Sequence, residues 1–168
     1  MQTKFEMMIR IDKEIVDKTT TRAKESERKR MNYNFHPQLD DLLQRMLNAM
    51  EPGTYIRPHK HEAPDKTEVF MILRGRMIVI EFDDEGEIKD LELLDCSEGR
   101  WAVEIPPRTW HSLISLESGS VAFEIKNGPY NPIDDKNFAV WAPTEKSPEA
   151  QSFLKSLTER CKALLKMD

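Results

Sequence analysis

The chain has 168 residues and a formal net charge of -5, from 30 acidic and 25 basic side chains. That length suits one domain, and the acidic balance argues against a general nucleic-acid or membrane surface, which needs a basic excess. Leu, Ile, Val and Phe together number 39, above the roughly one-fifth share below which charged chains tend to disorder. A core can therefore form without a disulfide framework.

Taken in order, the start MQTKFEMMIRIDKE lacks the apolar centre of a signal peptide, and no apolar run approaches the roughly 18 residues of a membrane span. The two cysteines, Cys96 and Cys161, suit a reducing compartment. The expectation is a soluble cytoplasmic protein. Ile11–Ser26 is free of Gly and Pro and carries a thin apolar stripe (Ile11, Ile15, Val16, Ala23), which predicts a helix. Residues 28–36 alternate: Met31, Tyr33 and Phe35 on one side, Arg28, Arg30, Asn32, Asn34 and His36 on the other, as in a strand. Leu39–Met50, with Leu42, Leu43, Met46 and Leu47 at helical spacing, predicts a second helix.

From Glu51 to about Tyr130 the sequence is strand-like and cut by turns. Strands are expected at Tyr55–His61, Glu68–Arg74, Met77–Phe82, Ile88–Leu94, Trp101–Ile105, Trp110–Ser115 and Ser120–Lys126. Hairpin turns are expected at Asp83–Gly86, Ser97–Gly99 and Glu117–Gly119. Short strands at this spacing predict an antiparallel sandwich or barrel. Asn127–Asp135 reads as a loop. Ser147-Pro148-Glu149 gives an N-cap, a first-turn proline and an acid for a last helix. Its stripe is Phe153, Leu157, Cys161, Leu164 and Leu165. The expected organisation is one domain: a helix-and-strand segment 1–50, a barrel core 51–130, and a loop and helix 131–168.

The chain has four histidines. His59 and His61, two apart on a strand, share a face and can reach one metal ion. A hairpin through Glu62–Thr67 would return Glu68 beside them, and His111 follows on a later strand. Three imidazoles and one carboxylate suit a divalent transition metal such as Zn, Fe, Mn, Ni or Co. Glu62 is the competing carboxylate, but it follows His61 directly and so points to the opposite face. By the same parity Tyr55 and Arg57 should face the metal, as should Phe70 and Ile72 from the Glu68 strand. Glu124 and Lys126 share a face on the last strand.

The run Gly53, His59, His61, Glu68, Gly75, followed by Gly99, Pro106, His111, resembles the two motifs of the cupin superfamily. The His61-to-Glu68 gap is longer than usual there, and Arg108 and Ser115 stand where glycine and asparagine are common. The segments RKRMNYNFH, QRMLNAMEPGTYIRPHKH, ILRGR, VEIPPRTWHS and EIKNGPY are similar to the WbuC family of cupin-fold metalloproteins, over roughly residues 28 to 130. The resemblance implies a mainly β fold, a single cupin jelly-roll barrel with flanking N- and C-terminal helices. It implies metal ligation by His59, His61, Glu68 and His111, and an association with bacterial surface polysaccharides.

The polar side of the alternating segment has two readings: a wet strand face, or a wall of Arg30, Asn32, Asn34 and His36 that holds a phosphate or carboxylate. With Tyr55, Arg57, Glu124 and Lys126, these are the candidate substrate-binding residues. No catalytic residue can be assigned. The leading function is a metal-dependent enzyme acting on a small sugar or sugar derivative, and the family resemblance implies an isomerase, epimerase or lyase. The alternatives are a non-catalytic sugar-binding or sensor module and an iron-dependent dioxygenase. Val69–Leu73 and Met77–Ile80 are apolar on both faces, so their outer side needs cover: the terminal helices, or a second copy in a homodimer.

Overall fold

The computed structural model of the chain describes residues 8–131 and 136–167. The chain start through Met7 and residues 132–135 of the expected loop lie outside the described residues. Helix α1 (Lys13–Glu25) opens the fold, followed by β1 (Arg30–Asn34), β2 (Leu43–Met50), β3 (His59–Lys60), β4 (Glu68–Arg74) and β5 (Arg76–Phe82). Then come β6 (Ile88–Asp95), β7 (Ala102–Ile105), β8 (Trp110–Ser115), β9 (Ser120–Asn127), β10 (Asn137–Phe138) and helix α2 (Ala150–Leu165).

The strands form two antiparallel five-stranded sheets, one ordered β1-β2-β9-β4-β7 and the other β10-β3-β8-β5-β6. The fold is a mainly β cupin jelly roll with a helix on each side. Apolar side chains fill three layers. Between the sheets lie Met50, Ile56, Phe70, Ile72, Met77, Val79, Leu94 and Leu113. Outside the first sheet, Val16 and Ala23 of α1 pack on Leu47, Ala49 and Val121. Outside the second, Leu154, Leu157 and Cys161 of α2 cover Ile78, Ile80, Phe82 and Ile114. The two helices thus supply much of the cover that doubly apolar strands require. Met71, Leu73 and Trp101 stay exposed.

Local chemistry sets the ends. The Asp12 carboxylate accepts the Ile15 N–H at 3.2 Å and caps α1. The regular turns of α2 begin at Ala150, later than the Ser147-Pro148-Glu149 pattern predicts, although Ser147 Oγ accepts the Glu149 N–H. The α2 stripe also differs: Leu154 is buried where Phe153 was expected, and Leu164 is 60% exposed.

Leu39–Met50 is not a helix. It contains β2, which is paired along its whole length with β9 and along much of it with β1. Leu47 and Ala49 face α1, while Gln44, Met46, Asn48 and Met50 face inward. The inward positions include polar residues, so the apolar spacing mimics a helix. Residues 55–58 are not regular strand, and β3 is short. Of the three expected hairpins, Asp83–Gly86 joins the paired strands β5 and β6, and Ser97–Gly99 is closed by an antiparallel bridge between Asp95 and Arg100. The connections at Ser97–Gly99 and Glu117–Gly119 carry the chain from one sheet to the other.

Gly75 makes a third such crossing, between β4 and β5. Its φ is +73°, and a Cβ there would collide with Ser120 Oγ and lie 2.9 Å from Ser120 Cα. Gly99 has a similar φ of +74°, but its Cβ would meet nothing nearer than Trp101 at 3.9 Å. Gly75→Ala should therefore cost about 3 kcal/mol, from backbone strain plus overpacking, and Gly99→Ala about 1 kcal/mol from strain alone. Urea unfolding of the two variants checks the order; equal losses would contradict it.

Candidate metal centre

The two sheets deliver the ligand set from opposite sides. His59 on β3 pairs directly with His111 on β8 in one sheet, and Glu68 opens β4 in the other. The hairpin expected to bring Glu68 beside His61 is absent: β3 pairs with β8 and β10, and Glu68 meets the imidazoles across the barrel interior. The four side chains are almost fully buried, at 3%, 2%, 2% and 1% exposure for His59, His61, Glu68 and His111. Each offers one donor atom, all within 4.8 Å of one another. That is close to the spread of ligands about 2.1 Å from one shared ion, where opposite donors stand about 4 Å apart.

The tautomers are set by backbone carbonyls. His59 Nδ1 lies 3.0 Å from Arg57 O, and His111 Nδ1 lies 2.9 Å from Thr109 O. A carbonyl only accepts, so both Nδ1 atoms carry a proton, and in the neutral ring each Nε2 presents a lone pair. Burial, with the charge of Lys136 and the neighbouring His111, keeps the pKa of His59 well below the usual imidazole value. That ring is therefore neutral at neutral pH.

His111 Nε2 then faces Glu68 Oε2 at 2.8 Å. The pair has ion-pair distance but not hydrogen-bond alignment, and neither atom has another hydrogen-bond partner among the described residues. A lone pair and a carboxylate oxygen in buried contact repel unless a proton or a cation stands between them. His61 Nε2 lies 3.0 Å from Glu68 Oε1. Burial opposes the charge on Glu68, but the imidazoles of His111 and His61 hold its carboxyl well below the ordinary range. An ionised carboxylate ringed by three imidazoles fits a divalent cation.

The centre forms part of the wall of a cavity of about 470 Å³, onto which His59 and Glu68 open. Arg30, Asn32, Asn34 and His36 line it, as do Arg57, Glu124 and Lys126. The alternating segment thus turns its apolar residues towards α1 and its polar ones into the barrel. Tyr55 is elsewhere: its hydroxyl donates to Pro143 O at 2.9 Å, and its ring packs on Phe153 outside the second sheet. Parity counted back from His59 fails there because residues 55–58 are irregular.

Beside the centre, Lys126 Nζ lies 3.5 Å from Glu68 Oε1 and 3.7 Å from Glu124 Oε1. Burial, then the charge of Glu68, pushes Glu124 above the ordinary carboxylate range. The Asn48 amide donates to Glu124 Oε2. Asn48 and Gln44 were missed as cavity residues because β2 read as a helix; polar side chains two or four apart were the available signal. Tyr130, Phe138 and Glu145 also line the cavity, and nothing in the local sequence of Phe138 or Glu145 marks them.

A family described as "Domain of unknown function (DUF6016)" matches residues 11–94, half of the chain. No curated protein sequence matches. Among solved structures, an uncharacterized conserved protein with a double-stranded β-helix domain from Klebsiella pneumoniae is 15% identical. The match covers 83% of this chain and 97% of that one, with a TM-score of 0.55. CapF from Staphylococcus aureus, described as a capsular polysaccharide assembling protein, is 21% identical with a TM-score of 0.53, over 67% of this chain. The match spans only 32% of the CapF chain. KdgF from Halomonas sp. is 20% identical over 62% of this chain and 82% of that one, with a TM-score of 0.45. Among the described residues no helix is long and apolar enough to cross a membrane.

Protein purified without a tag should carry close to one equivalent of transition metal by elemental analysis. His59→Ala and His111→Ala should abolish it while the circular dichroism spectrum is retained. A second comparison tests the carboxylate. Glu68→Gln removes the anionic ligand and should weaken metal affinity at least tenfold in a chelator competition. Glu62→Gln should leave affinity unchanged, because Glu62 pairs with Lys60 at 2.9 Å. The reverse order would exclude Glu68 as the ligand.

Proposed function

The chain belongs to the DUF6016 family, whose description assigns no activity, and from its own residues we propose a metal-dependent cupin enzyme acting on a small anionic sugar or sugar derivative. The observation that carries this reading is the lone-pair contact of His111 with Glu68 beside a polar cavity of ligand size. His59, His61, Glu68 and His111 would hold one divalent transition metal. When bound, that metal supplies Lewis acidity at a carbonyl or hydroxyl oxygen.

The chain's own groups divide the remaining work. Asn32, Asn34 and Asn48 present amides suited to hydroxyl groups. Arg57 donates through Nη2 to Ala139 O at 2.6 Å, while its Nε is buried with no hydrogen-bond partner among the described residues. That N–H suits an anionic substituent. Glu124, held above the ordinary carboxylate range, retains a proton more readily than an exposed acid and can donate or recover one at a substrate oxygen. Lys126, between Glu68 and Glu124, offsets the repulsion between the two buried carboxyls. An isomerase, epimerase or lyase fits a site built for proton movement at an oxygenated carbon. The association of CapF with capsular polysaccharide, and the similarity to the WbuC family noted above, support a surface-polysaccharide role.

A panel of sugar acids and sugar phosphates, incubated with metal-loaded protein and followed by NMR, tests the proposal. Turnover that disappears in Glu124→Gln supports it. Tight binding without conversion would favour a binding or sensor module. Arg57→Ala should keep the metal and lose roughly one to two powers of ten in affinity for an anionic ligand. Arg22→Ala on the exposed side of α1 should change nothing.

A further inference from the structure

Arg30 is a firmly held cation on the cavity wall. Its Nη1 donates to Thr54 Oγ1 at 3.1 Å and to Tyr55 O at 2.9 Å, which aims the guanidinium. Its Nη2 lies 2.6 Å from Glu145 Oε1, and Arg28 Nη2 lies 3.4 Å from Glu145 Oε2. One carboxylate is therefore gripped by two arginines, an oxygen each. The Arg30 side chain is only 11% exposed and the Glu145 side chain 34%, so the acid reaches the arginine from the solvent side.

Glu145 stands on the turn-rich segment between β10 and α2. Contacts with the barrel hold the start of that segment, Ala139 N–H to Pro58 O at 2.9 Å and the Tyr55 hydroxyl to Pro143 O, and a turn from Ser147 N–H to Thr144 O at 3.0 Å encloses Glu145. The carboxylate itself has no tie other than the two guanidiniums among the described residues, and it can leave by side-chain rotation alone.

We propose that Glu145 is an internal counter-anion occupying a subsite made by Arg28 and Arg30, which the carboxylate or phosphate group of the ligand enters by displacing it. The proposal rests on reading the cavity as a ligand site and deepens it by naming the recognised group and its built-in competitor. Two guanidiniums that converge on two oxygens match either oxyanion. Exchange of one anion for another conserves the local charge balance, whereas a neutral sugar would leave a partly buried Arg30 without its partner. Glu145 thus restricts the subsite to anions and lowers affinity for them.

Calorimetric titration of the purified protein with inorganic phosphate, and separately with gluconate, tests this. Glu145→Gln and Glu145→Ala should each bind one or both probes roughly tenfold more tightly than wild type. Adding Arg30→Ala to Glu145→Gln should erase the gain. The probe with the larger gain identifies the preferred group. Unchanged, weaker or undetectable binding in both Glu145 variants would overturn the proposal and leave Glu145 as a latch for its segment. A gain that survives Arg30→Ala would place the anion elsewhere, on the metal for instance, and would also overturn it. Metal content measured on the same samples separates the two readings. One equivalent of metal without the Glu145 effect defeats only this inference; the Glu145 effect without metal defeats only the metal assignment.

Discussion

A charged carboxylate in the dry interior of a small barrel is the constraint from which the rest follows. Glu68 is 2% exposed, and a buried charge is tolerated only with partners. The ammonium of Lys126 stands beside it, and the imidazoles of His61 and His111 face it where a cation would bridge them. Lys126 brings in Glu124, and Glu124 brings in Asn48. Each polar group placed inside obliges the next, so the network runs across β2, β9 and β4 of one sheet and meets the histidines of the other. Removing one member would leave its neighbours unsatisfied.

That network displaces apolar packing. Inside the jelly roll the apolar cluster shares the space between the sheets with a polar cavity. Much of the hydrophobic burial is moved outside, to the layers beneath α1 and α2. The helices therefore compensate for an interior partly given over to a site. This also explains the arrangement of β1 and the residue after it: Met31, Tyr33 and Phe35 lie against the α1 layer while Arg30 and Asn32 point inward.

Along the cavity the chemistry is graded. The metal ligands and the Glu124–Lys126 pair are buried; the amides of Asn32 and Asn34 are exposed, as is Arg28. Electrostatic interactions are strongest where water is excluded. A ligand held by the arginines and amides would present its reactive end to groups whose charges are least screened. Such a division of labour needs side chains from distant parts of the chain: the pairing of Arg30 with Glu145 spans 115 residues.

Local periodicity carried the strands that matter for the metal. His59 and His61 reach one site as strand alternation predicts, although β3 itself ends at Lys60, and Glu68 and His111 open or lie within strands that the turn residues delimit. The polar alternation of residues 30–36 was equally legible as a pattern, but its direction was not: whether that face meets water or the barrel interior depends on the sheet it joins. Leu39–Met50 misled because Gln44 and Asn48 occupy inward positions, which breaks the apolar alternation that identifies a strand. Tyr55 misled because parity holds only along regular backbone. Ser97–Gly99 and Glu117–Gly119 look like hairpin turns, yet each moves the chain between sheets, which no turn residue encodes. By itself the sequence determined the residue types of a metal centre, their spacing and a mainly β fold, since those follow from short-range geometry. Tertiary structure alone decided that Glu68 meets its histidines across the sandwich, that Asn48 supports Glu124, and that Glu145 closes on Arg30, because those contacts depend on how two sheets and a distant turn are brought together in space.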